Sequence, residues 1–157
     1  MTDSEFKTIF DEVYFSLPNY VLESIRLYSE KGIFVEVLFS DAPVDMAERK
    51  FKRGCPSAFL LITDSSWSFA FRPRVADAPQ DILTTIIRHE IIHAFLVAAE
   101  NTHLRNSRIA VQDFERQLRL ADPSYKTDSA LRKEEKLTSF INKSWGGIED
   151  EARKQGF

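Results

Sequence analysis

The chain has 157 residues, of which 43% are hydrophobic, and a formal net charge of −3. This length and apolar content can build one hydrophobic core, so we expect residues 1–157 to form a single domain. The slightly acidic balance excludes an overall basic field, so nucleic acid is an unexpected partner. Cys55 is the only cysteine, which excludes an intrachain disulfide and favours a reducing compartment.

The sequence also indicates where the protein resides. Residues 1–5 are polar and acidic, which is the wrong composition for a secretory signal. No uninterrupted apolar run reaches the ~18 residues that a membrane span requires. We therefore expect a cytoplasmic protein that has no membrane partner.

The first part of the chain predicts two helices and a strand. Apolar residues at helical spacing predict a helix over 3–17, which Pro18 interrupts. A second amphipathic stretch predicts a helix over 19–31. Residues 33–39 are rich in aromatic and β-branched side chains, which is typical of a strand.

Two further strands are predicted before the next helix. Residues 57–63 form an apolar run, and residues 66–72 alternate aromatic and small side chains, as a half-buried strand does. Only Asp64 and Ser65 separate the two runs, so we expect a tight antiparallel hairpin.

The second half of the chain predicts helices. Residues 80–100 are apolar almost all round, which indicates a buried central helix. Helices are also predicted over 109–120 and 128–145, and residues 148–157 are predicted to be a charged, frayed tail. The predicted fold is therefore α+β: N-terminal helices, a small three-stranded and mostly antiparallel sheet, the buried helix and two C-terminal helices.

The segment His89–His93, with the sequence HEIIH, carries the clearest chemical signal. Histidines at i and i+4 share one helix face and can bind the same metal ion. Glu90 lies about 100° further round the helix, beside such a metal, where a general base for the attacking water is needed. The alternative is a buried helix whose histidines only make hydrogen bonds.

A catalytic zinc ion usually has three protein ligands, so a third must come from elsewhere in the chain. His103 is one candidate, but it requires a sharp turn, and no glycine lies between His93 and His103. Glu134 and Glu135, at the start of the last predicted helix, are the others. The apolar stripe of that helix places Glu134 nearer the buried face than Glu135. This argument does not by itself decide which of the three candidates is the ligand.

Residues 85–96 resemble the HExxH helix of the zincin metallopeptidases, and within them the compact gluzincin type found in small phage and bacterial zinc peptidases. Residues 134–141 are similar to the third-ligand helix of those enzymes. The resemblance implies a zincin-like fold, a bound Zn²⁺ ion and a peptide or protein substrate. It also implies that Glu90 is the catalytic base.

The same resemblance implies the zinc ligands. They would be His89, His93 and one glutamate. In thermolysin-like enzymes the ligand glutamate precedes apolar residues at +2, +5 and +6, and Glu135 has Leu, Phe and Ile at those positions. We therefore predict Glu135 as the third ligand, with Glu134 as the alternative register.

A second family is similar to part of the chain. Residues 82–96, followed by Phe114–Arg116, resemble SprT-like proteases, some of which act on DNA-associated proteins. Those enzymes carry a His-Gly pair shortly before the phenylalanine, whereas residues 107–113 contain neither residue. The rival from another class is a non-catalytic regulatory protein with a structural zinc ion, although such a site has no use for the free carboxylate of Glu90.

Two features bear on substrate binding. The aromatic strand 66–72 precedes the motif helix, where zincins usually present an edge strand that pairs with the substrate backbone. Its aromatic side chains could equally be core residues. Hydrolysis also needs a donor for the oxyanion, and the candidates, among which the sequence does not select, are His103, Arg105 and Tyr125.

Overall fold

A computed structural model describes residues 1–29, 33–37, 58–63 and 66–157. Cys55, the turn at Asp64 and Ser65, and the predicted strand ends at residues 38–39 and 57 lie outside these residues. The helices and strands are α1 (Asp3–Phe15), α2 (Asn19–Tyr28), β1 (Ile33–Val37), β2 (Ala58–Thr63), β3 (Ser66–Phe71), α3 (Gln80–Thr102), α4 (Arg105–Ala121), α5 (Ala130–Ser144) and α6 (Glu149–Lys154), with short 3₁₀ helices at Pro73–Asp77 and Pro123–Thr127.

Helices dominate the described chain, so the prediction of an α+β fold with a mostly antiparallel sheet is wrong. The strands are only five or six residues long. They are ordered β1-β3-β2, with β1 parallel and β2 antiparallel to β3. Residue patterns located the strands, but they do not determine which strands pair, and the sheet is a minor element beside the six α-helices of the described residues.

Strand β3 lies in the middle of the small sheet. Its aromatic residues Trp67, Phe69 and Phe71 are fully buried, and Ser68 and Ala70 on the opposite face are buried as well. The prediction of a half-buried strand is therefore wrong. Because β3 is hydrogen-bonded to a strand on each side, it also cannot be the edge strand that pairs with a substrate.

The N-terminal helix packs on the aromatic face of β3. A capping box at Thr2 and Glu5 starts α1 by satisfying backbone N–H groups of its first turn. The ring of Phe6 lies 4.9 Å from that of Phe71, and the Phe10 ring lies 5.1 Å from that of Phe69. These aromatic contacts form much of the layer between α1 and the sheet.

The predicted central helix is present as α3, and other helices surround it. Eleven of its residues are buried, which explains why it is apolar on nearly every side. By length and composition α3 could cross a membrane, although Arg88 and Glu90 interrupt its apolar sequence. However, 67% of its most apolar 18-residue window is buried within the protein, as in the core helix of a soluble domain.

The C-terminal residues are ordered, so the prediction of a frayed tail over 148–157 is wrong. Residues Glu149–Lys154 form α6, whose Ala152 is only 4% exposed. The guanidinium of Arg74 donates a hydrogen bond to the carbonyl of Gly156 and lies 4.8 Å from the centre of the Phe157 ring. Buried apolar contacts and these terminal contacts hold the charged segment against the domain, and α6 packs on α3 and α5.

Candidate metal centre

Helix α3 brings the two motif histidines together. His89 and His93 lie one turn apart on the same face, with ring centroids 4.9 Å from each other. Their side chains are only 18% and 15% exposed. The pair therefore forms a partly enclosed site whose remaining ligands must come from a helix packed against α3.

Helix α5 supplies Glu135 to this site. One carboxylate oxygen of Glu135 lies 2.8 Å from Nε2 of His93, and the other lies 3.5 Å from Nε2 of His89. The side chain of Ser129 accepts a hydrogen bond from the backbone of Arg132 and so fixes the start of α5. The two ligand helices are thus packed with their donor atoms converging.

The donor set fits a zinc ion. The ligand atoms of His89, His93 and Glu135 all lie within 4.8 Å of one another. Donor atoms 2.0–2.1 Å from a tetrahedral ion are about 3.3 Å apart, close to the separations between Glu135 and the two rings. Two imidazoles and one carboxylate also form a ligand set of catalytic zinc sites.

The structure places the two alternative ligands away from the convergence point. Glu134 lies on the Nδ1 side of His93, with its carboxylate oxygen 3.7 Å from that nitrogen. His103 follows the last residue of α3, with the left-handed φ of 57°. Since it is ten residues after His93, it lies about 15 Å further along the helix axis. Glu135 is therefore the acidic residue that α5 presents to both Nε2 atoms.

Glu149 is a site residue that the sequence analysis missed. Its carboxylate oxygen lies 2.6 Å from Nδ1 of His89, and its side chain is only 8% exposed. Nδ2 of Asn142 donates a hydrogen bond to the same oxygen at 2.7 Å. With Glu149 accepting from Nδ1–H, Nε2 of His89 is left as the nitrogen free to bind metal.

A close turn after α5 places Glu149. Gly146 has φ of +89°, a conformation that favours glycine. A Cβ on Gly147 would lie 2.4 Å from Oδ1 of Asn142, so only glycine fits there. The backbone N–H of Ile148 then donates to Oγ1 of Thr85, one turn before His89 on α3. The glycine pair was the available sequence signal for this return, but it does not specify which side chain the turn delivers.

The other ring nitrogen of His93 has weaker partners. Oγ1 of Thr138 lies 3.4 Å from Nδ1 of His93, at the long end of the hydrogen-bond range. Glu134, on the same side of the ring, has a side chain that is 36% exposed. Thr138 itself is fully buried. The orientation of His93 therefore depends on a neutral hydroxyl group and a partly solvated carboxylate.

The carboxylates shift both histidines toward the protonated form in the absence of metal. Burial lowers the pKa of His89, but hydrogen bonds with Glu135 and Glu149 outweigh it and raise the pKa to about 10. Burial likewise opposes the shift at His93, where hydrogen bonds with Glu134 and Glu135 raise the pKa to about 9. The hydrogen bonds from both rings lower the pKa of Glu135. The site thus has a strong affinity for positive charge.

Glu90 lies within this charged group without being a ligand. Burial raises its pKa, whereas the positive charges of His89 and His93 oppose the rise. Among the residues that the structure describes, none donates a hydrogen bond to the Glu90 carboxylate. A carboxylate that is desolvated and not committed to a partner is suited to accept a proton.

The candidates for oxyanion stabilisation are not gathered at the site. His103 and Arg105 lie at and beyond the end of α3, both exposed. Tyr125 is buried and packs in a core cluster with Ile92 and Leu137. Within the described part of the chain, no hydrogen bond or ion pair joins any of the three to His89, His93 or Glu135.

Comparison with known proteins does not assign this chain to a family. No protein-family model, curated protein or solved structure matches this chain. The resemblance to zincin metallopeptidases therefore remains a prediction from residues 85–96 and 134–141. Function has to be inferred from the arrangement of the side chains.

Proposed function

We propose that this protein is a zinc-dependent metallopeptidase that hydrolyses peptide bonds in a peptide or protein substrate. The observation that carries the proposal is the convergence of His89, His93 and Glu135 within 4.8 Å beside the uncommitted carboxylate of Glu90. A purely structural zinc site is usually closed by four protein ligands. Three ligands and a nearby base favour hydrolysis instead.

The proposed ligands are Nε2 of His89, Nε2 of His93 and the carboxylate of Glu135. Bound zinc would polarise the scissile carbonyl group and lower the pKa of the attacking water. Glu149 accepts the hydrogen bond from Nδ1 of His89 and so fixes the tautomer of that ring.

Glu90 moves the proton in this mechanism. Its carboxylate accepts the proton of the attacking water and then donates it to the leaving amine, so the residue ends the cycle as it began. In the metal-free protein burial raises the pKa of Glu90, and a more basic carboxylate is a better proton acceptor. Partial enclosure of the site strengthens its electrostatic interactions.

We further propose a cytoplasmic location. The burial of α3 within the domain supports a protein that does not use this helix to cross a membrane. The single cysteine of the sequence agrees with a reducing compartment.

Metal analysis and one substitution test the proposed function. Protein purified without chelators should contain about one zinc ion per chain and cleave casein or a mixed peptide library. Glu90→Gln should keep the zinc ion and lose about 10²–10⁴-fold in kcat, since only the base is removed. Glu12→Gln, an exposed substitution on α1, is the control and should retain full activity.

Three outcomes would contradict the proposal. A zinc content below a tenth of an equivalent per chain that does not rise when zinc is added would show that the cluster does not hold this metal. Unchanged activity in Glu90→Gln with zinc still bound would remove the base from the mechanism. A zinc-loaded protein that cleaves no peptide would instead favour the non-catalytic regulatory protein.

A further inference from the structure

A cavity lies beside the candidate metal centre. It has a volume of about 770 Å³, is open to solvent, and is lined by the C-terminal half of α3, helix α4, the 3₁₀ helix Pro123–Thr127 and the start of α5. This volume is in the range of pockets that bind small molecules or several side chains. None of the proposed zinc ligands lines it.

The cavity begins about one turn after His93 on α3, on the side of that ring that carries Nδ1. Leu96 and Val97 line it, and they lie three and four residues after His93 on the face of α3 that carries both histidines. Glu134 also lines it, and a carboxylate oxygen of that residue is 3.7 Å from Nδ1 of His93. The helices that supply the ligands therefore form two walls of the cavity.

The walls of the cavity are mainly apolar. Val111 from α4 and Leu137 from α5 face Leu96 and Val97, and buried Leu137 belongs to a hydrophobic core cluster. Leu131 lines the cavity as well, although its side chain is 75% exposed. A large apolar side chain left in water beside an apolar cavity marks a surface that gains from being covered.

We propose that this cavity binds the apolar side chains of the substrate residues that flank the cleaved bond on one side. This inference rests on the proposed peptidase function. Val97 and the seventh residue after His93, Glu100, lie about 6 and 10 Å along the helix axis from that ligand. An extended peptide covers this distance in two or three residues. The second or third residue from the cleaved bond would thus reach the cavity.

The first test is the cleavage pattern of the zinc-loaded protein. A library of acetylated and amidated peptides is digested, and the cleaved bonds are identified by mass spectrometry. We expect Leu, Ile, Val, Met or Phe to be enriched at one fixed position, two or three residues from the cleaved bond. Zinc-dependent cleavage with no apolar preference at any fixed position would overturn the cavity proposal and leave the peptidase function standing.

Matched substitutions provide the second test. Ala130→Trp places an indole on an exposed residue that lines the cavity, whereas Ala121→Trp adds the same group at an exposed residue outside it. Ala130→Trp should lower kcat/KM for the preferred peptides at least tenfold and keep its zinc content and Tm. Ala121→Trp should stay within twofold of the wild type.

A milder pair replaces one exposed leucine with glutamine. Leu131→Gln alters the cavity wall, while Leu120→Gln changes a residue that is 78% exposed and does not line the cavity. We expect a threefold or greater rise in KM for Leu131→Gln alone. Equal effects of the two substitutions would contradict the proposal.

Binding can be measured without turnover. Zinc-loaded Glu90→Gln is titrated against a fluorescein-labelled peptide that has leucine at the preferred position, and against its serine counterpart. The leucine peptide should bind at least tenfold more tightly, and Ala130→Trp in the same background should abolish the difference. If the leucine and serine peptides bind zinc-loaded Glu90→Gln equally tightly, the cavity proposal fails. If the zinc-loaded wild type cleaves nothing at all, the peptidase function fails and the cavity proposal with it.

Discussion

His89 and His93 are one turn apart on α3, yet the protein holds them in different ways. Nδ1 of His89 lies 2.6 Å from the buried carboxylate of Glu149. Nδ1 of His93 has the Thr138 hydroxyl at 3.4 Å and the partly exposed Glu134 at 3.7 Å. We call these the inner and outer ends of the site. The inner end is fixed by a charged hydrogen bond, while the outer end adjoins the cavity that we propose binds the substrate.

The largest expected effect lies between the two ends, at Glu135. Glu135→Gln removes the carboxylate that contacts both Nε2 atoms, so the affinity for zinc should fall more than about 100-fold. This loss exceeds the effect of removing a residue that only hydrogen-bonds a metal-binding histidine. Glu134→Gln, at the alternative ligand, should have a smaller effect of about tenfold, because its carboxylate lies 3.7 Å from Nδ1 of His93 and not at the Nε2 atoms. Competition with a chromogenic zinc chelator measures both, and the opposite order would assign the ligand to Glu134.

The inner end is tested by Glu149. Glu149→Gln removes the charge that orients His89. Zinc affinity should fall about 10–100-fold, as it does when other carboxylates that hydrogen-bond a metal-binding histidine are replaced. The control is Glu151→Gln, an exposed residue on the same helix whose side chain accepts a hydrogen bond from Gln155. An effect at Glu149 no larger than at Glu151 would mean that the inner end is not held as the structure indicates.

The pH dependence of stability in the metal-free protein compares the protonation of the two histidines, His89 at the inner end and His93 at the outer end. The folded-state pKa values of about 10 for His89 and about 9 for His93 exceed the ordinary value of 6.5. Folding therefore favours the protonated rings, and this stabilisation is complete below about pH 6.5 and lost as the pH rises through 9 to 10.

Chelator-treated protein should lose at least about 1 kcal/mol of stability over that interval, or about 2–4 °C in Tm. His89→Gln should remove more of this pH dependence than His93→Gln, because the inner histidine has the larger shift. Thermal unfolding followed by circular dichroism measures both variants. A variant that carries both substitutions should lose this pH dependence. If its Tm changes with pH as much as that of the wild type, the effect does not come from the two histidines.

The smallest expected effect is at the outer end. Thr138→Val removes the hydroxyl that lies 3.4 Å from Nδ1 of His93. A long neutral hydrogen bond contributes about 1 kcal/mol or less, so zinc affinity should fall no more than about fivefold. The same chelator competition measures this change. A loss as large as that for Glu149→Gln would remove the distinction between the two ends.

Sequence patterns predicted the parts of the site that lie on regular helices. Apolar residues on nearly all sides identified α3, and the spacing of His89 and His93 placed them on one face. The apolar positions two and six residues after Glu135, Leu137 and Ile141, are buried in the structure. Helical periodicity is a local property, so the chain itself records it.

The parts that the sequence did not predict depend on contacts between distant segments. Glu149 follows a helix end in a charged stretch typical of a frayed terminus, and only the turn at Gly146 and Gly147 brings it to His89. The position of β3 between β1 and β2 depends on strand pairing, which an alternating pattern leaves undetermined. Periodicity likewise does not reveal the cavity, because four separate segments line it.

The link between Glu149 and His89 joins distant parts of the chain, since the two residues are 60 positions apart. A chain truncated after Gly147 would keep both histidines, Glu90 and Glu135, yet lack the carboxylate that accepts the hydrogen bond from Nδ1 of His89. The geometry of the candidate metal centre therefore depends on a C-terminal segment that supplies none of the proposed ligands.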